Sequence, residues 1–242
     1  MELVLPKKAV RKTPVCVLFA ATGDQGFTWR REVVALPLAK KGIGSLILQS
    51  PFYGRRRPDY QKSFYVSDVK DLWIMAAATI AEGLCLLNWL EEEGFGSLGV
   101  SGVSYGGYIA GVVAAHFKKP IAVIPCLAAH SATTWMLDGT MRQAIHWKKL
   151  RREWKEKENF YHFLEQLFRL GDITNFPPPT KSSAAVVIAG RFDAFTLRAS
   201  VKRLHAHWPG SRLQWISTGH VGAFLFRKKL FQKGIEEAFR RL

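Results

Sequence analysis

The chain reads as a single α/β domain over residues 1–242, built on a mostly parallel sheet of about six strands flanked by helices, with a helical insertion over 135–180. Three observations predict this class. Short β-branched and aliphatic runs alternate with longer helical patterns, the order that parallel βαβ units produce. The length of 242 residues, 48% of them apolar and 22% charged, suits one hydrophobic core. The glycine-dense run "GVSGVSYGG" joins an apolar strand pattern directly to a helical one.

In chain order, strands are expected at Val15 to Ala21, Ser45 to Gln49, Leu98 to Val103, Ile121 to Leu127, Ala184 to Ala189 and Leu213 to Ile216. Helices are expected at Trp29 to Lys41, Ser67 to Glu93, Tyr105 to Phe117, Leu197 to His207 and Val221 to Leu242. Ser67 is placed as an N-cap, with Asp68 beside it on the favourable side of the helix dipole. Residues 135–180 break the alternation: they are helical, basic and aromatic, and end in a proline run that neither helix nor strand accepts. They read either as a lid inserted between two strands or as an ordinary packed helical pair.

A net charge of +16 and a pI near 10 point to anionic partners. Nucleic acid ranks last among them, because no CxxC pair or RNA-recognition signature accompanies the charge. Cys16, Cys85 and Cys126 sit apart among apolar neighbours, as buried thiols of a reducing compartment such as mitochondrion or cytoplasm would. Lys7, Lys8, Arg11 and Lys12 before "VCVLFAA" imitate a secretory signal, but "TGDQGF" behind them reads as a loop after a strand. The apolar run Leu72 to Leu90 is broken by Glu82, Gly83 and Asn88 and reads as a packed helix rather than a membrane span.

Gly102 and Gly106 stand two residues either side of Ser104. That spacing belongs to a nucleophile on a tight strand-to-helix turn, where side chains at the flanking positions would collide. A serine so placed needs a histidine base oriented by a carboxylate, in the chain order Ser, Asp, His. Asp193, after "AAVVIAG", and His220, after "LQWISTG", fit that order and lie just past strand ends, on the edge of the sheet where Ser104 lies. His130 is the rival base. His116, His146, His162, His205 and His207 are weaker, as are Asp138 and Asp172 for the acid; Asp193 itself could serve only as a turn former. Oxyanion donors are expected from the backbone of Tyr105 and of Thr22 and Gly23. Arg30, Arg55, Arg56, Arg57 and Arg191 lie on loops of the same edge, with Arg31 beside Arg30. They are candidate contacts to an anionic substrate, or else solvated loop charges or partners of Asp24 and Asp59.

The blocks "ATGDQGFTWRR", "LILQSPFYGRRRP", "GVSGVSYGGYIAG", "AVIPCL", "AGRFDAF" and "TGHVGAFLF" together resemble the family of α/β-hydrolase domain-containing protein 18, from about Pro14 to the C-terminus. The resemblance implies the α/β-hydrolase fold and a triad of Ser104, Asp193 and His220. Family members carry a longer N-terminal part and a long insertion before the strand that leads to the aspartate. This chain is shorter in both places, as an abbreviated version or an incomplete gene product would be.

The expected activity is hydrolysis of acyl esters through an acyl-enzyme, with no metal or organic cofactor. Trp135, Trp147, Trp154, Phe160, Tyr161 and Phe163, interleaved with Lys148, Lys149, Arg151, Arg152 and Lys155, suit an anionic lipid interface and favour phospholipid esters; Trp147, Trp154 and Tyr161 repeat every seven residues, as a plain packing face also would. The alternatives are a non-catalytic relative that binds an anionic membrane or partner through its basic face, and acyltransferase or peptidase chemistry at the same triad.

Overall fold

In the computed structural model, residues 1–63, 65–66, 68–144, 147 and 159–242 are described. Among them a seven-stranded sheet runs in the order β1-β3-β2-β4-β5-β6-β7, with β1 Glu2–Val4, β2 Val15–Phe19, β3 Gly44–Ile47, β4 Leu98–Val103, β5 Ala122–Cys126, β6 Val186–Gly190 and β7 Arg212–Ile216. All neighbours pair in parallel except β1, which pairs antiparallel with β3 in the register Glu2 opposite Ile47. The mostly parallel sheet is the expected one, and the short antiparallel edge strand β1 adds to the six strands expected.

Because side chains alternate across a strand, each strand feeds both faces. Val15, Val17, Phe19, Val100, Val123 and Val187 point to one face, packed by α2 (Val69–Glu92), α3 (Tyr105–His116) and α5 (Arg198–His207). Cys16, Leu18, Ile47, Ile124 and Ile188 point to the other, against α1 (residues 28–39) and α7 (Lys228–Arg241). The helix α1 carries a π-helical turn, Arg31–Ala35, between two α-helical ones. The helix α2 buries a stripe of Met75, Thr79, Gly83, Leu87 and Leu90; a Cβ on Gly83 would lie 2.7 Å from Phe19 Cζ, so glycine there lets the helix lie close on the sheet. Among the described residues α2 is the one helix long and apolar enough to cross a bilayer.

Several expectations change. The N-cap of α2 is Asp68, whose side chain accepts from the Lys70 amide at 2.9 Å; Ser67 lies outside the described residues. The expected C-terminal helix is two, α6 (His220–Phe226) and α7, broken at Arg227. Cys16 and Cys126 are buried and free, with the Cys126 thiol pushed up to about 12 by desolvation, but Cys85 is exposed on α2. Within 135–180, α4 (Phe160–Arg169) buries Phe160, Leu164 and Phe168 with Met136 against Val69, Leu72 and Trp73. Phe160 is thus a packing residue, whereas Tyr161 and Phe163 are exposed. Trp147 meets Tyr161 at 5.5 Å between ring centroids. Trp154, Lys148, Lys149, Arg151, Arg152, Lys155 and His146 lie outside the described residues.

Candidate active site

The strand β4 is buried along its whole length and leads into Ser104, whose φ of 56° and ψ of −119° lie in territory that side-chain-bearing residues avoid. The turn is held by the Ser104 amide, which donates to Cys126 O at 2.8 Å, and by the start of α3 at the next residue. The glycines answer to close contact here. A Cβ on Gly102 would sit 2.4 Å from the Gly106 carbonyl carbon, and one on Gly106 would sit 2.6 Å from Phe19 O and 2.8 Å from Ala20 O. Two facing backbones leave no room for a methyl at either position. Ser104 is half-buried at the N-terminus of the twelve-residue helix α3, where negative charge is favoured.

Asp193, 7% exposed, divides its carboxylate between two tasks. Oδ1 accepts from the amides of Phe195 at 2.9 Å and Thr196 at 2.8 Å, which forms the turn after β6. Oδ2 meets Nδ1 of His220 at 2.7 Å. Turn former and histidine partner, set against each other by the sequence, are one residue with an oxygen for each. An ionised carboxylate can only accept, so Nδ1 donates, and in the neutral ring the lone pair lies on Nε2. The ring also meets the edge of Phe195 at 5.1 Å. Among the described residues no hydrogen bond joins the Ser104 hydroxyl to His220; in enzymes without substrate this contact is commonly long and tightens on binding.

The expected oxyanion donors separate. Tyr105 is the first residue of α3, and its amide is among those a helix leaves over. Thr22 is exposed, and its amide makes no backbone bond among the described residues. Gly23 is corrected: its φ is 82° and its amide already donates to the Tyr53 hydroxyl at 3.1 Å. Tyr53, passed over in the sequence, is buried and braces this loop through that bond. Gln25 joins the brace through Gly54 N at 3.0 Å, and Gln49 Nε2 donates to Tyr53 O at 2.7 Å.

Arg30 is not at the rim. It is 2% exposed, with Nε on Asp24 at 2.7 Å, Nη1 on the carbonyls of Leu18 at 2.8 Å and Leu48 at 2.5 Å, and Nη2 on Gly26 O at 2.7 Å. It ties the ends of β2 and β3 to the loop between β2 and α1, with every nitrogen committed. Arg31 pairs with Glu2 of β1 at 2.9 Å. Arg56 is held by Glu82 of α2 and by Gln49 O. Arg55, Arg57 and Arg191 are exposed, and the Arg191 carbonyl accepts from Arg198.

His130, the rival base, is buried with Nδ1 on Ser200 Oγ at 2.6 Å and Nε2 3.5 Å from Asp172. Burial lowers its pKa most; Asp172 works against this and Arg203 with it. Both nitrogens are occupied, and Asp172 also holds Thr174 through its amide and hydroxyl, so this cluster anchors the segment that follows α4. His116, His162, His205 and His207 each bond to a carbonyl or side chain nearby, and Asp138 is exposed. Among the described residues no cluster of three or more histidine, cysteine or acidic side chains could hold a metal.

Similar folds occur in an acetyl xylan esterase from Paenibacillus sp. R4 (17% identity, 97% of this chain and 78% of that one, TM-score 0.72) and in TT1662 from Thermus thermophilus (15%, 98% and 92%, 0.68). Est1E from Butyrivibrio proteoclasticus, solved with ferulic acid, matches at 14% identity over 99% of this chain and 94% of that one, with a TM-score of 0.66. At such identities the likeness is one of fold. The family model for alpha/beta hydrolase domain containing 18 matches residues 1–167 and 152–241. With strand order, elbow and sequence blocks in agreement, the chain belongs to that family and has the α/β-hydrolase fold.

Proposed function

We propose that this protein hydrolyses acyl esters, with Ser104 as nucleophile, His220 as base and Asp193 as its orienting acid. The observation that carries this reading is the 2.7 Å bond from His220 Nδ1 to Asp193 Oδ2, which selects the neutral tautomer with its lone pair on Nε2, on the sheet edge where Ser104 is lifted by its positive φ. His220 Nε2 takes the Ser104 proton as Oγ bonds to the ester carbonyl carbon, and the carbonyl electron pair moves onto oxygen. The amides of Tyr105 and Thr22 are the donors available to that oxyanion. Collapse breaks the bond to the alcohol, which leaves with the proton from Nε2. A water molecule, deprotonated by the same nitrogen, then releases the acid from Ser104 and restores the serine. Arg55 and Arg191 on the rim, with a net charge of +16, support an anionic phospholipid as the ester.

A series of chromogenic acyl esters tests the chemistry. The wild-type chain is expected to turn over at least one of them, with His220→Gln at least about a thousandfold slower and still folded. Equal turnover by the two chains would remove His220 from the reaction, and a folded wild type inert to every ester would leave a binding protein.

A further inference from the structure

We propose that α6, together with Phe192, is a docking surface for an anionic lipid bilayer. The inference deepens the acyl-ester reading above and rests on it for its purpose, but not for its observations. The helix α6 begins at His220 and is anchored from one side: Ala223 is fully buried, and Phe224 stacks on Trp29 with centroids 4.3 Å apart. Its other side is bare. Val221 is 57% exposed, Leu225 48% and Phe226 79%, and Phe192 at 68% adjoins the turn that starts the helix, its amide donating to Thr218 O at 3.2 Å. Four large apolar side chains held out to water beside a functional site are the kind of surface that marks an interface.

The charge around them selects the occupant. Arg227, Lys228 and Lys229 follow Phe226 directly in the chain. The Arg198 guanidinium lies 6.0 Å from the centroid of the Phe192 ring. Phenylalanine and leucine with cations beside them match the boundary between acyl chains and anionic headgroups, where the rings insert and the charges stay at the surface. A second copy of the chain would bring the same positive charge to the contact and be repelled. With the bilayer against α6, an ester drawn from the leaflet would reach the edge that carries His220.

Flotation of the Ser104→Ala chain, which cannot turn lipid over, tests the surface with vesicles of phosphatidylcholine alone or of phosphatidylcholine and phosphatidylglycerol in equal parts. The protein is expected on the phosphatidylglycerol vesicles, at least about tenfold more than on the neutral ones, with binding weakened by salt. Leu225→Asp with Phe226→Asp should lower that binding at least about tenfold, and Phe226→Ser alone should lower it in the same direction. In the chain that retains Ser104, the same substitutions should leave hydrolysis of a water-soluble short-chain ester within about twofold. Equal binding to both vesicles, binding unaffected by the substitutions, no binding, or a concentration-dependent dimer dissolved by Phe226→Ser would each overturn the proposal. Failure of the unsubstituted chain to hydrolyse the soluble ester would strike the hydrolase reading instead, and flotation would still decide the docking surface.

Discussion

Replacing Arg30 by leucine removes a buried guanidinium that serves four acceptors: Asp24, Leu18 O, Leu48 O and Gly26 O. The Asp24 side chain, 13% exposed, would lose its cation and remain as a nearly buried, unpaired carboxylate. Breaking one side of such a pair costs about 3–5 kcal/mol. Leu18 O keeps the Leu48 amide at 3.2 Å, so its share of the loss is small, and a total of about 4 kcal/mol follows. For a chain of this size that lowers Tm by about 8–16 °C, out of a total stability of about 5–15 kcal/mol. Arg30→Lys keeps the charge but presents one ammonium in place of a planar fork, and should recover only part of the loss. Thermal unfolding followed by circular dichroism reads the shift, and the KM for a hydrolysed ester is measured beside it. A Tm within about 2 °C of wild type together with a tenfold rise in KM would refute the structural role and return Arg30 to the substrate.

Three further outcomes follow from the site. Gly106→Ala would drive its methyl to within 2.6 Å of Phe19 O, where only backbone movement could relieve it; ester turnover should fall at least about a hundredfold, with stability lower by about 1–3 kcal/mol, read by kcat/KM and melting. Asp193→Asn can keep the two amide bonds at Oδ1 but presents His220 with the wrong acceptor pattern, so kcat should drop by about 10³–10⁴ while the melting temperature stays close to wild type. His130 has its pKa lowered by burial, so the unfolded chain binds its proton at a higher pH than the folded one does. Its contribution is complete above about pH 6.5 and is lost as pH falls from there through the depressed folded value; in urea unfolding, His130→Gln should lose less stability than wild type between about pH 7.5 and 5.5, and an equal or greater loss would contradict this.

What could be read in advance was local. The span of β4 is the expected one, Leu98–Val103, because strand, glycine turn and helix are neighbours in the chain. Asp193 and His220 were legible as residues just past apolar strands, since parallel strands bring such positions to one edge whatever lies between. The strand β1 was missed because it is three residues long and gains its order from pairing with β3 and from the Arg31–Glu2 contact. The break at Arg227, with φ −113°, has no glycine or proline to announce it. Arg30 looked like a rim arginine because its acceptors, such as Leu48 O eighteen residues away, are assembled only by the fold. Tyr53 was hidden in the same way, its partner Gly23 lying thirty residues back.

The reactivity of one hydroxyl, that of Ser104, decides whether the chain is a serine hydrolase. The folded chain, treated with a fluorophosphonate and digested, should yield by mass spectrometry a single modified serine in the peptide that contains Ser104, and His220→Gln should slow its formation at least about a hundredfold. A wild-type chain that remains unmodified, or a label that settles on another serine and persists in Ser104→Ala, would contradict it.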